Sequence, residues 1–284
     1  MQDRKFQQVD VFTATPYRGN PVAVVLQGDG LGDADMQQFA RWTNLSETTF
    51  MLTPTDPQAD YRLRIFTPGG EMQFAGHPTL GSCHAWLAAG GQPKSTDFVI
   101  QQCGVGLVRI RHDGVLLAFG APPLKRTDAS AQLLGAVAAA LGIKPAQVLS
   151  AQLLDNGTAW LGLLLDSPQT VQQLRPDFAR LKGVGHKVGV AAMHVGQRDR
   201  SDAPDLEVRG FAPHMGIDED PVTGSLNASL AQWLIADGHM PRQYVAAQGA
   251  ALGRAGRVIV RSDDAAQIWI GGQAVTCIDG RVRI

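Results

Sequence analysis

Two stretches of this chain are versions of one pattern, and a duplicated pattern narrows the folds open to it. The first runs FTPGGEMQFAGHPTLGSCHAWLAAGG from Phe66, and the second runs FAPHMGIDEDPVTGSLNASLAQWLIADG from Phe211. Each reads Phe-x-Pro, then an acidic, glycine-bearing turn, then a polar residue directly before proline. Each ends in Gly-Ser and an Ala/Leu/Trp-rich run with helical character. Aligning Pro78 with Pro221 sets His77 opposite Asp220, Gly81 opposite Gly224 and Ser82 opposite Ser225. A repeat whose polar positions have diverged predicts two pseudo-symmetric halves with a site between them.

The two motif helices lack a solvated face. Ala85 to Ala89 in one, and Leu226, Ala228, Leu230, Ala231 and Leu234 in the other, put small and apolar residues all round. Such a helix belongs inside a fold, so the pattern predicts a sheet wrapped around a central helix, twice. The fold class is therefore α+β. Alternating and β-branched runs place strands near 9–13, 22–26, 48–52, 62–66, 99–100, 105–111 and 115–119. More follow near 147–154, 160–165, 188–194, 206–211, 257–261, 267–271 and 274–278. Helices are expected over 33–43, 78–89, 130–141, 168–174, 176–182 and 222–236. In the helix from Asp33, Met36, Phe39, Ala40 and Trp42 supply the apolar contacts. The stretch APPLKRTDAS from Ala121 has two prolines and a polar run, which marks a boundary. The expected domains are 1–120, joined by the returning residues 276–284, and 121–275.

With 284 residues and 44% apolar content, the chain can bury a substantial core. A net charge of −1 without a basic cluster argues against a nucleic-acid partner. No apolar run approaches the ~20 residues that span a bilayer. The start MQDRKFQQVDVF lacks the apolar core of a signal peptide, so a cytosolic location is expected. Cys83, Cys103 and Cys277 are far apart and read as unpaired thiols. His77 and His84 are too distant along one helix for paired metal ligands, so no metal is expected.

The chemistry is sought at the helix starts. Pro78 and Pro221 suit a first helical position, which puts His77 and Asp220 at the caps. Asp220 before proline is a good N-cap in its own right, and His77 can be a satisfied polar histidine. The alternative uses the pair. Helix N-termini carry free N–H groups and a partial positive charge, and two of them would hold a small carboxylate. Gly76, Gly81 and Gly224 would let backbone approach that ligand, and Ser225 could donate to a substrate oxygen. Glu47, in NLSETTF, is either a solvated turn residue or a partly desolvated carboxylate suited to proton transfer. Gly104-Val105-Gly106 lacks the rest of a dinucleotide fingerprint, and no cofactor motif is present.

Four segments taken together, QVDVFTATPYRGNPVAVV, NLSETTF, FTPGGEMQFAGHPTLG and DEDPVTGS, resemble the PhzF-like phenazine-biosynthesis family in content and order. The resemblance implies a diaminopimelate epimerase-like fold and a site in the cleft between two similar domains. It implies isomerisation of trans-2,3-dihydro-3-hydroxyanthranilate or an analogue without a cofactor. Carried over, Glu47 matches the family's acid/base, while His77, Asp220 and Ser225 match residues that hold the substrate, flanked by Gly76 and Gly224. A homodimer is also implied, with a small molecule bearing a carboxylate and an amine as partner. Racemases of similar fold use two cysteines, and no cysteine stands at either motif start here. An amino-acid racemase, a non-catalytic binder of a small acid or a protein, and a thiol enzyme remain as alternatives.

Overall fold

The structure, a computed structural model, describes residues 1–194 and 203–284. Two compact units divide the chain: Met1–Gly120 with Gly271–Ile284, and Ala121–Ile270.

In the first unit the elements run β1 (Asp3–Val11), β2 (Asn20–Val25), α1 (Asp33–Thr43), β3 (Thr48–Leu52), β4 (Tyr61–Phe66), β5 (Glu71–Met72), α2 (Gly76–Ala88), β6 (Phe98–Cys103), β7 (Gly106–His112) and β8 (Leu117–Gly120). The second holds β9 (Lys125–Thr127), α3 (Ala131–Leu141), β10 (Val148–Asp155), β11 (Ala159–Leu165), α4 (Pro168–Gln173), α5 (Phe178–Val184), β12 (Lys187–Met193), β13 (Leu206–Ala212), β14 (Ile217–Asp220), α6 (Gly224–Ala236), β15 (Gln243–Gln248), β16 (Gly256–Ser262) and the first three residues of β17 (Ile268–Gly272). Strand β18 (Ala274–Arg283) then pairs along the whole of β1.

The repeat seen in the sequence is a repeat of strand pairing. In the first unit β1–β2 is antiparallel, β2–β3 parallel, β3–β4 antiparallel, β4–β5 antiparallel, β4–β6 parallel and β6–β7 antiparallel. In the second the same series is β10–β11, β11–β12, β12–β13, β13–β14, β13–β15 and β15–β16. Side chains repeat too. Arg64, two residues before Phe66, grips Glu71 with Nε–Oε1 at 2.7 Å and Nη2–Oε2 at 2.6 Å. Arg209, two before Phe211, grips Glu219 at 2.9 and 2.8 Å. Each guanidinium also lies 5.1 Å from the ring of its phenylalanine. A planar fork fits both a carboxylate and an aromatic face, so arginine ties the Phe-x-Pro strand to the turn that follows.

Each motif helix is the centre of its unit. Helix α2 packs against β1, β2, β3, β4, β6, β8 and β18, and α6 against β10, β11 and β16. Val222, Leu226, Leu230, Trp233 and Leu234 are fully buried, and each contributes about 1.5–3 kcal/mol by leaving water. Glycines let the strands close on the helices. A Cβ at Gly189 would lie 2.2 Å from Leu226 Cδ1, and one at Gly81 would lie 2.4 Å from Val22 Cγ1. Gly81 is thus a helix–strand packing residue and not a ligand-approach glycine as the sequence suggested. The outer face of β11 and β12 carries a second layer, with Val137, Leu161, Leu163, Leu181, Val188 and Phe211 in one core.

Several boundaries differ from the sequence reading. Helix α2 starts at Gly76, two residues earlier than expected, and α6 starts at Gly224, two later. The prolines therefore do not occupy matching helical positions. Strand β9 lies inside the expected linker, because Lys125–Thr127 pairs with β10. The last strand continues to Arg283. Strand β15 lies where the sequence pattern predicts no strand. Trp42 is 78% exposed and stacks on Phe39, leaving Met36 and Ala40 as the buried contacts of α1.

Candidate active site

In the first unit, Glu47 and His77 come together. Glu47 is the last residue before β3, and its backbone carbonyl accepts from Ala23 N at 3.5 Å. That places its side chain beside the first turn of α2. His77 Nε2 lies 3.4 Å from Glu47 Oε2, with the two side chains 6% and 13% exposed. The glutamate is therefore a sheltered carboxylate rather than a solvated turn residue. His77 is the second residue of α2, not its cap; Ala75 caps the helix without a side-chain bond, and Gly76 is the first helical residue.

Asn20 completes this cluster, and sequence reasoning took it only as a turn residue. Its Nδ2 lies 3.4 Å from His77 Nδ1. An amide nitrogen donates only, so with Asn20 in this orientation Nδ1 accepts and a neutral ring carries its proton on Nε2, the nitrogen nearer Glu47. Asn20 is 1% exposed and opens β2, opposite Val11. The connection before it is tightly built. Gly19 N donates to Asp10 Oδ2 at 2.9 Å, and a Cβ at Gly19 would lie 2.1 Å from Val11 O. Phe12 and Tyr17 adopt φ of 65° and 69°. Non-glycine residues in this region are strained and persist only where the surroundings hold them.

Ser82, aligned with Ser225 in the repeat, has a structural task. Thr49 Oγ1 bonds both Ala23 O, at 3.2 Å, and Ser82 Oγ, at 2.9 Å, in the buried layer between β3 and α2. Cys83 is fully buried, and burial pushes its thiol up to about 12. A thiol that keeps its proton is a poor acid/base at neutral pH.

In the second unit, Asp220, Gly224 and Ser225 cluster at the start of α6, but not as the sequence suggested. Asp220 is the last residue of β14, and Thr223 occupies the N-cap position with φ −111° and ψ 106°. The Thr223 hydroxyl does not cap; it bonds Asp220 Oδ2 at 2.6 Å. Helix capping passes instead to Gln248 on β15, whose Oε1 accepts from Thr223 N at 3.0 Å. The same oxygen accepts from Asn227 Nδ2 at 2.9 Å, while Gln248 Nε2 lies 2.9 Å from Thr223 Oγ1 and 3.1 Å from Asp220 O. Gly249 follows at φ +99°, where a Cβ would lie 2.6 Å from Pro221 O. Only glycine lets β15 close on this turn.

Ser225 is held by two groups from the β10–β11 hairpin. Trp160 Nε1 donates to its Oγ at 3.1 Å, and Asn156 Nδ2 to its carbonyl at 3.2 Å. Lys187 Nζ lies 5.6 Å from the Trp160 ring. The neighbouring His214 is held below the usual histidine range by burial, then by the charges of Lys187 and His186. Trp160, Thr223 and Gln248 were all missed as site residues. Thr223 lies within the recognisable DEDPVTGS segment, whereas Gln248 has no local signal.

Among the described residues no group of three His, Cys, Asp or Glu side chains is arranged to hold a metal ion. Among the same residues no helix is long and apolar enough to cross a membrane.

Comparison with known proteins identifies the family. The model of the phenazine biosynthesis-like protein family, PhzC-PhzF, matches residues 9–280. The chain is 38% identical to antisense-enhancing sequence 1 of Schizosaccharomyces pombe, over 99% of each chain. It is 31% identical to the trans-2,3-dihydro-3-hydroxyanthranilate isomerase of Pseudomonas aeruginosa, over 98% of each. A solved PhzF-family protein of Bacillus anthracis superposes over 100% of both chains with a TM-score of 0.85 at 23% identity. The fold is diaminopimelate epimerase-like.

Proposed function

Because the chain belongs to the phenazine biosynthesis-like protein family, we propose that it is a cofactor-independent isomerase that moves a proton within a small substrate. The substrate carries a carboxylate and an amine, as in trans-2,3-dihydro-3-hydroxyanthranilate or an analogue. Glu47 takes a proton from one carbon and returns it to another. His77, with its proton on Nε2, steadies the carboxylate as the charge changes. Asp220 and Ser225 hold the substrate's polar groups, with Gly76 and Gly224 presenting backbone at the two helix starts.

The observation that carries this reading is the sheltered Glu47 carboxylate beside His77 Nε2, at 3.4 Å. A single carboxylate that removes and returns the same proton must keep it from water, and a side chain only 13% exposed meets that need. The racemase reading fits less well. Inversion needs acid/base groups on both faces, and the thiol nearest a motif start, Cys83, is fully buried and protonated.

The test is proton NMR of trans-2,3-dihydro-3-hydroxyanthranilate in deuterated water with wild type and Glu47→Gln. Wild type should consume it with the migrating hydrogen largely kept rather than exchanged for deuterium, and the variant should lose at least about 10³-fold in rate. Turnover surviving in Glu47→Gln would remove Glu47 as the acid/base.

A further inference from the structure

We propose that Gln248 is a positioning residue that fixes Asp220 as a hydrogen-bond acceptor, through the hydroxyl of Thr223, so that this half of the site reads a donor group on the substrate, an ammonium or a hydroxyl. The inference rests on the substrate-holding role given above to Asp220.

The direction of each bond follows from donor and acceptor chemistry. Gln248 is 1% exposed, so its amide must satisfy both ends within the protein. Its Oε1 faces Thr223 N and Asn227 Nδ2, at 3.0 and 2.9 Å, and both of those groups only donate. That fixes the amide, and the Nε2 end must face Thr223 Oγ1, at 2.9 Å, and Asp220 O, at 3.1 Å. Thr223 Oγ1 therefore accepts from Gln248 and must send its own proton elsewhere. The 2.6 Å contact with Asp220 Oδ2 takes it. That length is typical of a hydroxyl donating to a carboxylate. A relay of two bonds thus runs from Gln248 to Thr223 to Asp220. With Oδ2 accepting that proton, this oxygen cannot itself donate, and the rotamer of Asp220 is set. A carboxylate in that state repels an acceptor and receives a donor.

Nothing in the relay touches substrate except Asp220, so its loss should read as binding rather than as chemistry. Steady-state kinetics with trans-2,3-dihydro-3-hydroxyanthranilate would compare Thr223→Val, Thr223→Ser, Gln248→Glu and Asp220→Asn. Thr223→Val keeps the shape and loses the proton, so KM should rise about 10-fold with kcat within about 3-fold of wild type. Thr223→Ser restores the hydroxyl and should restore KM. Gln248→Glu keeps the oxygen that caps α6 and loses the donor to Thr223. It should match Thr223→Val, and the double variant should be no worse than either, because both break one relay.

Thr223→Val with wild-type KM, or indistinguishable from Thr223→Ser, would overturn the relay. If that occurs while Asp220→Asn is impaired, the relay fails alone. An unimpaired Asp220→Asn would instead remove the substrate-holding role on which it rests. Should wild type not turn over this compound, the Asp220 carboxyl ¹³C resonance at pH 7 reads the relay directly. It should move in Thr223→Val and stay in Thr223→Ser; an unmoved resonance in Thr223→Val overturns the proposal.

Discussion

The indole N–H of Trp160 donates to Ser225 Oγ across 3.1 Å, from β11 to the first turn of α6. Indole nitrogen cannot accept, so the serine oxygen is the acceptor and its proton is turned away from the ring. Trp160 is 3% exposed, which makes the contact rigid as well as directional.

Replacing Trp160 by Phe keeps an aromatic face and removes that donor. The expected result is a stability loss of about 1 kcal/mol by urea unfolding and a KM increase of about 3- to 10-fold. Ser225→Ala should raise KM by a similar factor. The double variant should be no worse than Ser225→Ala, since Trp160 acts through the serine.

His77 is oriented by Asn20 and faces Glu47. Substituting His77 by Gln removes the ring proton beside the carboxylate while preserving a polar side chain. A fall in kcat of about 10²-fold is expected from rapid-quench or NMR rates. Asn20→Ala should reproduce part of that fall, because Nδ1 then loses the donor that fixes its tautomer.

Arg209 and Glu219 form a buried bidentate pair, with side chains 5% exposed each, and Arg209 Nη1 also serves the Val171 and Leu174 carbonyls at 3.1 and 3.0 Å. Arg209→Ala strands the carboxylate and both carbonyls, and should cost about 3–5 kcal/mol in urea unfolding. The counterpart Arg64 pairs with Glu71, 37% exposed, and Asp33, 84% exposed. Glu71→Gln there should cost only about 0–1 kcal/mol.

Cys83 and Tyr61 make alkaline stability predictable. Burial pushes the Cys83 thiol up to about 12, and burial, then the neighbouring Cys83, raises the Tyr61 phenol well above its usual range. The folded chain keeps these protons where the unfolded chain releases them, at about pH 8.5 for cysteine and about pH 10 for tyrosine. The unfolded state then binds fewer protons, so stability falls as pH rises, by up to about 1.4 kcal/mol per pH unit for each group. Urea midpoints between pH 7 and 10 should decline, and Cys83→Ala should flatten the decline. Native protein should resist iodoacetamide at Cys83 and react there only once unfolded.

The two helix starts that sequence reading misplaced have one cause. Proline's preference for a first helical position is a local rule, and it put both helix starts at the prolines. In the protein α2 begins before Pro78 and α6 after Pro221, because the second turn is held by Gln248, a residue distant in sequence. Strand β15, QYVAAQ, is short and polar at both ends, so it gave no run of alternating residues.

The sequence by itself determined the duplication, the two buried helices and the family, because repeats, periodicity and motif order are written in neighbouring residues. It also contained Glu47, His77, Asp220 and Ser225. Tertiary structure alone decided their chemical states. Which nitrogen of His77 carries the proton, which way the Thr223 hydroxyl points and how Ser225 is turned depend on Asn20, Gln248 and Trp160, each brought in from another strand. Hydrogen-bond direction is fixed by the partner in space, and only folding chooses that partner.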